Sequence, residues 1–241
     1  RLAIEQAMGN PQGIADCHLW LGVAALWRGD TTSALALLES ALAQLRMLND
    51  PHNLIHVLDA CAHSAVTAGN FSVARQYQLE RMALLDSLGY YHSAIWSHIH
   101  LGAIALAQAD ARAARTHLQA ARTQLYEDNA LYGVTQLFSD LAPRSDDTAR
   151  VLYVETRAAL ALQEQRPEAA ARLVAAGAAL RAAQRIPFYF PDERDMLMAT
   201  VAAARAALGA TAFDVAWAAG AALPWDAEPD EAAVGAAYTE P

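Results

Sequence analysis

The sequence contains no lysine. Its 17 basic residues are all arginines and are outnumbered by 26 acidic residues, which gives a net charge of −9. Without lysine there is no P-loop of the G-x-x-x-x-G-K type and no Schiff-base nucleophile, so these residues cannot use either chemistry. Binding to a nucleic-acid backbone depends on clustered cationic side chains. We therefore expect no direct nucleic-acid contact by this chain.

Other motifs and residue types are also missing or rare. The G-x-S-x-G, H-E-x-x-H and C-x-x-C arrangements are absent, so we expect no catalytic activity and no cofactor. Only two cysteines occur, Cys17 and Cys61, and we expect both to be reduced and buried in a cytoplasmic protein. No apolar run reaches the roughly 20 residues that a membrane span needs. We therefore expect no membrane contact.

Alanine dominates the composition, and β-branched residues are sparse. Glycine and proline stand mainly between segments with helical apolar periodicity. This combination predicts an all-α chain, because helix propensity and periodicity agree over most windows. The chain begins at Arg1 inside a periodic segment. We therefore expect it to be part of a longer polypeptide whose other domains hold further activities.

The clearest positive signal is a repeat of 40 residues. Small, apolar and helix-capping residues recur in register, in the columns Asp30/Asn70/Asp110, Ala34/Ala74/Ala114, Gly22/Ala62/Gly102, Leu21/Cys61/Leu101 and Leu45/Leu85/Leu125. Recurrence at a fixed period is typical of stacked supersecondary units. The columns predict helix pairs at 11–27 with 31–48, 52–68 with 71–88, and 91–108 with 111–127. Residues 1–8 would finish an earlier unit.

Beyond residue 127 the spacing changes. We expect an inserted helix at 129–142, a break at Pro143, and an offset helix pair at 147–164 and 167–184. Capping helices follow, one capped by Asp192 and one by a capping box of Thr211 and Asp214. The predicted organisation is thus three repeats at 1–127, further helices of the same solenoid at 128–223, and an acidic, flexible tail at 224–241.

The recurring columns follow the order of the tetratricopeptide repeat. Two copies carry it, as Leu21-Gly22, Ala25, Gly29-Asp30, Ala34, Leu38 and Ala41, and as Leu101-Gly102, Ala105, Asp110, Ala114, Leu118 and Ala121. In the middle copy Gln78 and Arg81 replace the expected apolar or small residues. The chain thus resembles a tetratricopeptide-like α-solenoid. This resemblance implies a right-handed superhelix of antiparallel helix pairs, with a concave groove lined by the first helix of each pair.

The C-terminal third carries a second resemblance. Its motifs run Pro167-Glu168-Ala169-Ala170-Ala171-Arg172-Leu173, Ala179-Leu180-Arg181, Ala207-Leu208-Gly209, Phe213, Trp217 and Gly220. Their order resembles the C-terminal sensor arm of bacterial transcriptional regulators of the signal-transduction ATPase type. The resemblance implies a P-loop ATPase and a DNA-binding module elsewhere in the same polypeptide. It also implies an effector or a protein partner for the arm.

A different class of function fits the same repeats. A free-standing tetratricopeptide scaffold would bind peptide segments of partner proteins in its groove, without a small-molecule effector. The length of the reading frame would distinguish the sensor arm of a regulator from a free-standing scaffold. A homodimer formed through the open ends of the stack is compatible with either function.

Four polar residues, His52, His56, Asp59 and His63, fall on one stripe of a predicted helix. The repeat phase places this stripe on the groove. Paired imidazoles beside a carboxylate can hold a transition metal or sense pH near neutrality, whereas a plain solvated face needs no ligand. We favour the readings without a metal, and expect ligand or partner contacts or a solvated face here.

The neighbouring repeats would complete the groove. Its other expected lining residues are Asp16, Leu19, Val23 and Trp27 on one side, and His92, Trp96 and Ile99 on the other. The candidate contacts are therefore Asp16, Trp27, His52, His56, Asp59, His63, His92 and Trp96. We assign three other aromatic residues to packing, Trp20, Phe213 and Trp217.

Overall fold

The computed structural model describes residues 1–90, 94–127 and 145–223. Over these residues it contains eleven α-helices and no strand, which confirms the predicted all-α class. The helices are α1 Leu2–Met8, α2 Pro11–Trp27, α3 Thr31–Leu48, α4 Pro51–Thr67, α5 Phe71–Ser87, α6 Ala94–Ala107, α7 Ala111–Arg122, α8 Ser145–Gln163, α9 Pro167–Gln184, α10 Pro191–Leu208 and α11 Ala210–Ala221. A π-helical turn, Thr123–Glu127, follows α7. None of these described helices is long and apolar enough to cross a membrane.

The predicted helix pairs of the first two repeats are confirmed as α2 with α3 and α4 with α5, with ends that differ by one residue at most. The third predicted pair corresponds to α6, α7 and the π-helical turn, and the offset pair to α8 and α9. The predicted helix at 129–142 and the predicted tail at 224–241 lie outside the described residues, as does His92.

Side-chain caps and left-handed residues set the ends of the repeat helices. The carboxylates of Asp30, Asp50 and Asp110 each accept a hydrogen bond from the amide three residues later, at 3.1, 3.2 and 2.9 Å. Asn70 is the N-cap residue of α5, as predicted, but its side chain makes no capping hydrogen bond, so that part of the prediction is wrong. The residue before each repeat cap has a positive φ: Gly29, Gly69 and Ala109.

Two predicted caps in the C-terminal helices are also wrong. Because α10 begins at Pro191, Asp192 lies in its first turn and does not cap it. Because α11 begins at Ala210, Thr211 and Asp214 cannot form a capping box. Asp214 instead accepts a hydrogen bond of 3.0 Å from Arg205.

The chain forms two compact units. The first comprises Arg1–Ser97 and Tyr189–Asp192, and the second comprises His98–Phe188 and Glu193–Pro241. In the first unit α2 packs against α3, α3 against α4, and α4 against α5. Its apolar core consists of Ala15, Leu19, Val23, Leu38, Ala41, Leu42, Leu45, Val57, Leu58, Ala60 and Cys61.

A glycine allows the paired helices of a repeat to approach closely. A Cβ atom at Gly22 would lie 2.7 Å from Cγ of Leu38, so a larger residue in α2 would clash with α3. Within the second unit, Gly102 stands in the same relation to Leu118, at 3.2 Å. The side chain nearest each glycine is thus a leucine, which lies four positions after a residue of the recurring alanine column. That alanine column is nevertheless fully buried: Ala34, Ala74 and Ala114.

The second unit has an ionic pair in its interior, where α9 packs against both α8 and α11. Arg181 Nη2 donates a hydrogen bond of 2.7 Å to Glu155 Oε2, and Nη1 donates one of 2.7 Å to the carbonyl of Pro187. The Arg181 guanidinium also lies 3.9 Å from the centroid of the Phe188 ring. Burial raises the pKa of Glu155, and Arg181 opposes that rise.

The packing roles predicted for the aromatic residues hold only in part. Phe213 is buried, and the Trp217 ring lies 5.5 Å from it. Trp20 is instead 45% exposed, and so is its neighbour Leu21. The equivalent of Leu21 in the second repeat, Cys61, is buried in the apolar core.

Candidate functional site

The second helix pair, α4 and α5, carries polar side chains at places where the first pair carries apolar ones. The buried residues Leu19, Leu38 and Ala41 are replaced forty positions later by Asp59, Gln78 and Arg81. The third repeat returns to buried apolar residues at the same positions, with Ile99, Leu118 and Ala121. The three polar residues are therefore a feature of the second repeat alone.

Asp59 contacts both Gln78 and Arg81, and we call the three residues the polar cluster. Gln78 Nε2 donates a hydrogen bond of 2.8 Å to Asp59 Oδ1, and Arg81 Nε lies 3.8 Å from the same oxygen. Arg81 Nη1 also donates a hydrogen bond of 2.6 Å to Ser97 Oγ. The Arg81 side chain is only 4% exposed, whereas that of Asp59 is 21% exposed. Asp59 thus places a compensating negative charge beside a buried cation, which would otherwise be strongly destabilising.

His56 lies one helical turn before Asp59 on α4 and is half-buried. Burial lowers the pKa of His56 below its ordinary value, and the positive charge of Arg81 lowers it further, while Asp59 acts in the opposite direction. The imidazole is therefore neutral at neutral pH. A neutral imidazole has one donor and one acceptor nitrogen, so His56 can contribute either to the surroundings of the polar cluster.

His63 lies one turn after Asp59, is buried, and contacts a segment distant in sequence. Its Nδ1 atom lies 2.8 Å from Asp192 Oδ2, and its ring stacks on Phe190 with a centroid separation of 3.8 Å and an interplanar angle of 13°. A carboxylate only accepts hydrogen bonds, so Nδ1 carries the proton in this contact. The side chain of His63 is thereby fixed by a charged and an aromatic contact together.

Two further contacts hold the same segment, Tyr189–Asp192, which we call the YFPD segment. The indole nitrogen of Trp27 donates a hydrogen bond to the carbonyl of Tyr189. Phe190 packs against a small apolar cluster in the first helix pair, made of Ala25, Leu26 and Ala34. The YFPD segment therefore belongs to the first unit through its main chain, its aromatic ring and its carboxylate.

The sequence pattern predicted only a helix cap at Asp192 in the YFPD segment and gave no indication of the contacts with α2 and α4. One signal was present, because Phe188, Tyr189 and Phe190 follow one another between two prolines in a region otherwise rich in alanine. Such a run indicates an ordered segment that packs on something. It does not indicate where the segment packs.

The eight predicted groove residues fall into different surroundings. Asp59, His63 and Trp27 take part in the contacts described above, and His56 lies beside the polar cluster. Asp16 belongs to a separate network, in which it accepts hydrogen bonds from Asn53 at 3.2 Å and from Gln12 at 3.4 Å. The structure thus brings some of the stripe together with Trp27 through the YFPD segment, and leaves Asp16 elsewhere.

The remaining predicted residues are less informative. His52 is exposed, with its ring centroid 6.1 Å from that of Tyr90, and Trp96 is half-buried. His92 lies outside the described residues. Three apolar residues that were expected to line the groove are buried, so that expectation is wrong: Leu19, Val23 and Ile99.

Comparison with known proteins adds no relative. No protein-family model matches the chain, and neither a curated protein nor a solved structure is significantly similar to it. The described residues define an all-α protein with repeated helix pairs. Its function is therefore argued from the polar cluster, the YFPD segment and the order of the sequence motifs.

Proposed function

We propose that the chain is the non-catalytic sensor and interaction arm of a bacterial transcriptional regulator. The arm would be a tetratricopeptide-like, right-handed superhelix, and an effector or partner would bind in its concave groove. Binding would control separate ATPase and DNA-binding modules of the same cytoplasmic polypeptide. The all-helical fold, the 40-residue recurrence of buried positions and the motif order of the C-terminal third support this proposal.

The observation that carries the proposal is the polar cluster. The two flanking repeats place buried apolar residues at the same three positions, so the repeat fold itself does not need Asp59, Gln78 or Arg81. Buried ionic groups often add no stability relative to well-packed apolar residues. Polar groups that stability does not require are best explained by recognition, because a few oriented donors and acceptors give a site its specificity.

A stack of repeats can transmit a local binding event. Each helix pair contacts mainly its neighbours, so small rotations between successive pairs add along the chain. A ligand that binds one packing of the second repeat better than another shifts the population toward that packing. Such a shift would be felt by any module joined to the arm.

A thermal-shift screen of the chain against sugars, amino acids, nucleotides and divalent metals tests this function. A ligand of the folded state raises the apparent melting temperature according to its affinity. An effector at the polar cluster should stabilise the native chain but not the Gln78→Leu variant. The matched control is Gln119→Leu, since Gln119 is exposed on α7, and it should respond like the native chain.

A different outcome of the same experiments would contradict the sensor proposal. If no class of ligand stabilises the chain, and if His56→Ala and Trp96→Ala both leave the output of the complete regulator unchanged, the sensor proposal fails. Finding a reading frame that encodes a lysine-containing P-loop and a DNA-binding module would support it.

A free-standing scaffold is the second candidate function, and the way in which the YFPD segment is bound favours it. The YFPD segment is held by α2 and α4 much as a short peptide is held by a binding groove. A reading frame made of repeats alone would support the scaffold, because no output module would then be present to regulate.

A further inference from the structure

Two side chains of the first unit hold the YFPD segment through three contacts. Trp27 donates to a main-chain carbonyl, His63 stacks on the ring of Phe190, and Nδ1 of His63 donates to the carboxylate of Asp192. A small apolar floor beneath Phe190 completes the contact. We call the surface formed by Trp27, His63, Ala25, Leu26 and Ala34 the receiving surface.

Proteins recognise short peptides by contacts of this kind. Hydrogen bonds to the peptide main chain give affinity, and individual side-chain positions give specificity. Here the main-chain contact falls on the residue before the aromatic anchor, and the charged contact falls two residues after it. Proline between the two restricts the backbone and so lowers the entropy lost on binding. The receiving surface therefore recognises an aromatic residue and an acid two positions later, and the proline between them restricts the backbone.

None of these contacts needs the bound segment to be covalently attached nearby. Trp27 and Tyr189 are 162 residues apart in sequence. Phe190 packs against the apolar core of the first unit, but it is itself only half-buried. The segment thus lies on the first repeats as an added peptide would, rather than as part of their interior.

We propose that the receiving surface is a docking site for a short peptide of a partner protein with the pattern aromatic-proline-acid, whose proline begins a helical turn as Pro191 does here. The YFPD segment occupies this site in cis and competes with the partner. The inference rests on the proposed function, because Trp27 and His63 are two of the residues assigned to the groove. The inference adds to that function the class of partner, a short peptide, and a competitor within the chain, the YFPD segment.

Competition by the tethered YFPD segment should lower the apparent affinity of the chain for a free peptide by a measurable factor. A tethered segment acts at an effective concentration on the order of millimolar, which a free peptide of similar intrinsic affinity cannot match at micromolar concentration. The native chain should therefore bind the free peptide weakly. Removing the aromatic anchor from the segment should expose the receiving surface and increase the apparent affinity for the peptide.

The test measures binding of a fluorescently labelled peptide, IPFYFPDE, to the complete chain by anisotropy. This peptide reproduces residues 186–193. We expect the Phe190→Ala chain to bind it at least tenfold more tightly than the native chain. The matched control is Phe188→Ala, which removes the same side chain two residues earlier. The Phe188 ring lies on Arg181 in the second unit, so this variant should bind like the native chain.

A second variant guards against loss of folding. Asp192→Asn preserves the shape of the segment but weakens its charged contact with His63, and it should raise the affinity by a smaller factor than Phe190→Ala. A peptide with alanine at the position of Phe190 should bind the opened chain at least tenfold more weakly than IPFYFPDE. Circular dichroism establishes that each variant is folded, and if Phe190→Ala is not, Asp192→Asn decides the question.

Equal peptide affinity in the native chain and in the folded variants would overturn the docking proposal. An equal increase in Phe188→Ala would also overturn it, because the effect would then not depend on the receiving surface. Neither result affects the thermal-shift screen against small molecules. The sensor function and the peptide site can therefore fail independently.

Discussion

The first and second helix pairs have the same backbone arrangement but different side chains at their inner positions. Both place a cap, a left-handed residue and a buried alanine at positions 40 residues apart. The first pair closes around an apolar contact between Gly22 and Leu38, whereas the second has Gln78 at the position of Leu38 and turns it toward Asp59. The comparison teaches that the recurring small and capping residues set the path of the helices, while the inner positions are free to carry a site.

The replacement in the second pair is coordinated. Arg81 alone would be a buried and uncompensated charge, and Gln78 alone would bury an amide without a partner. Asp59 on the facing helix compensates both residues. Its carboxylate accepts a hydrogen bond of 2.8 Å from Gln78 and lies 3.8 Å from Arg81. The three positions therefore differ from the first repeat as a set.

The largest effect should come from breaking that set at Asp59. Asp59→Leu installs the residue of the first repeat but leaves Arg81 buried beside an apolar side chain, so we expect the free energy of unfolding to fall by about 3 kcal/mol. Chemical denaturation monitored by circular dichroism measures it. Asp86→Leu, at an exposed position of α5, is the control and should change little. A loss no larger than that of the control would mean that Asp59 does not compensate Arg81.

The next effect concerns the approach of the helices. Gly22→Ala forces a methyl group to within 2.7 Å of the buried Leu38, and we expect it to cost about 1–2 kcal/mol after the gain in helix propensity. Gly102→Ala meets Leu118 only at 3.2 Å, so its cost should be smaller. Parallel denaturation curves of the two variants test the order. A larger loss for Gly102→Ala would show that the two glycine contacts are not equivalent parts of the repeat.

A smaller difference is expected at the caps. Asp110→Ala removes a capping hydrogen bond of 2.9 Å and should cost about 1 kcal/mol. Asn70→Ala should cost distinctly less, because the Asn70 side chain makes no capping bond. Thermal denaturation of both variants compares them. Equal losses would mean that Asn70 stabilises α5 by a route other than its cap position.

The sequence predicts the parts of the fold that depend on local chemistry. Asp30 and Asp110 cap helices where the pattern places them, and the alanine column is buried because its period matches the helix pairs. The exposure of Trp20 was not predictable, since aromatic size favours burial and only the packing around α2 decides it.

The candidate site was predicted only in part. The sequence marks His63 and Asp59 as one stripe, and marks Gln78 and Arg81 as departures from the repeat. The sequence does not reveal that Gln78 and Arg81 contact Asp59, because that contact depends on which faces of α4 and α5 meet. The contact of His63 with Asp192 spans 129 residues and leaves no local trace in the pattern. Long-range contacts of this kind follow from tertiary packing and not from periodicity.

The smallest change in stability should follow from the largest change in sequence. The triple variant Asp59→Leu, Gln78→Leu, Arg81→Ala gives the second repeat the residues of the first at all three positions. No charge or amide is left without a partner, and the buried hydroxyl of Ser97 loses its hydrogen bond from Arg81, which costs about 1 kcal/mol. The free energy of unfolding should therefore lie within about 1 kcal/mol of that of the native chain.

The triple variant must then be more stable than Asp59→Leu alone, although it contains that substitution. Denaturation of both variants side by side measures the coupling between the three positions directly. A triple variant as unstable as the single one would mean that the second repeat needs its polar cluster to fold, and the argument for recognition would lose its main support. If the triple variant is stable but no longer shifted by a ligand that stabilises the native chain, the polar cluster serves binding and not folding.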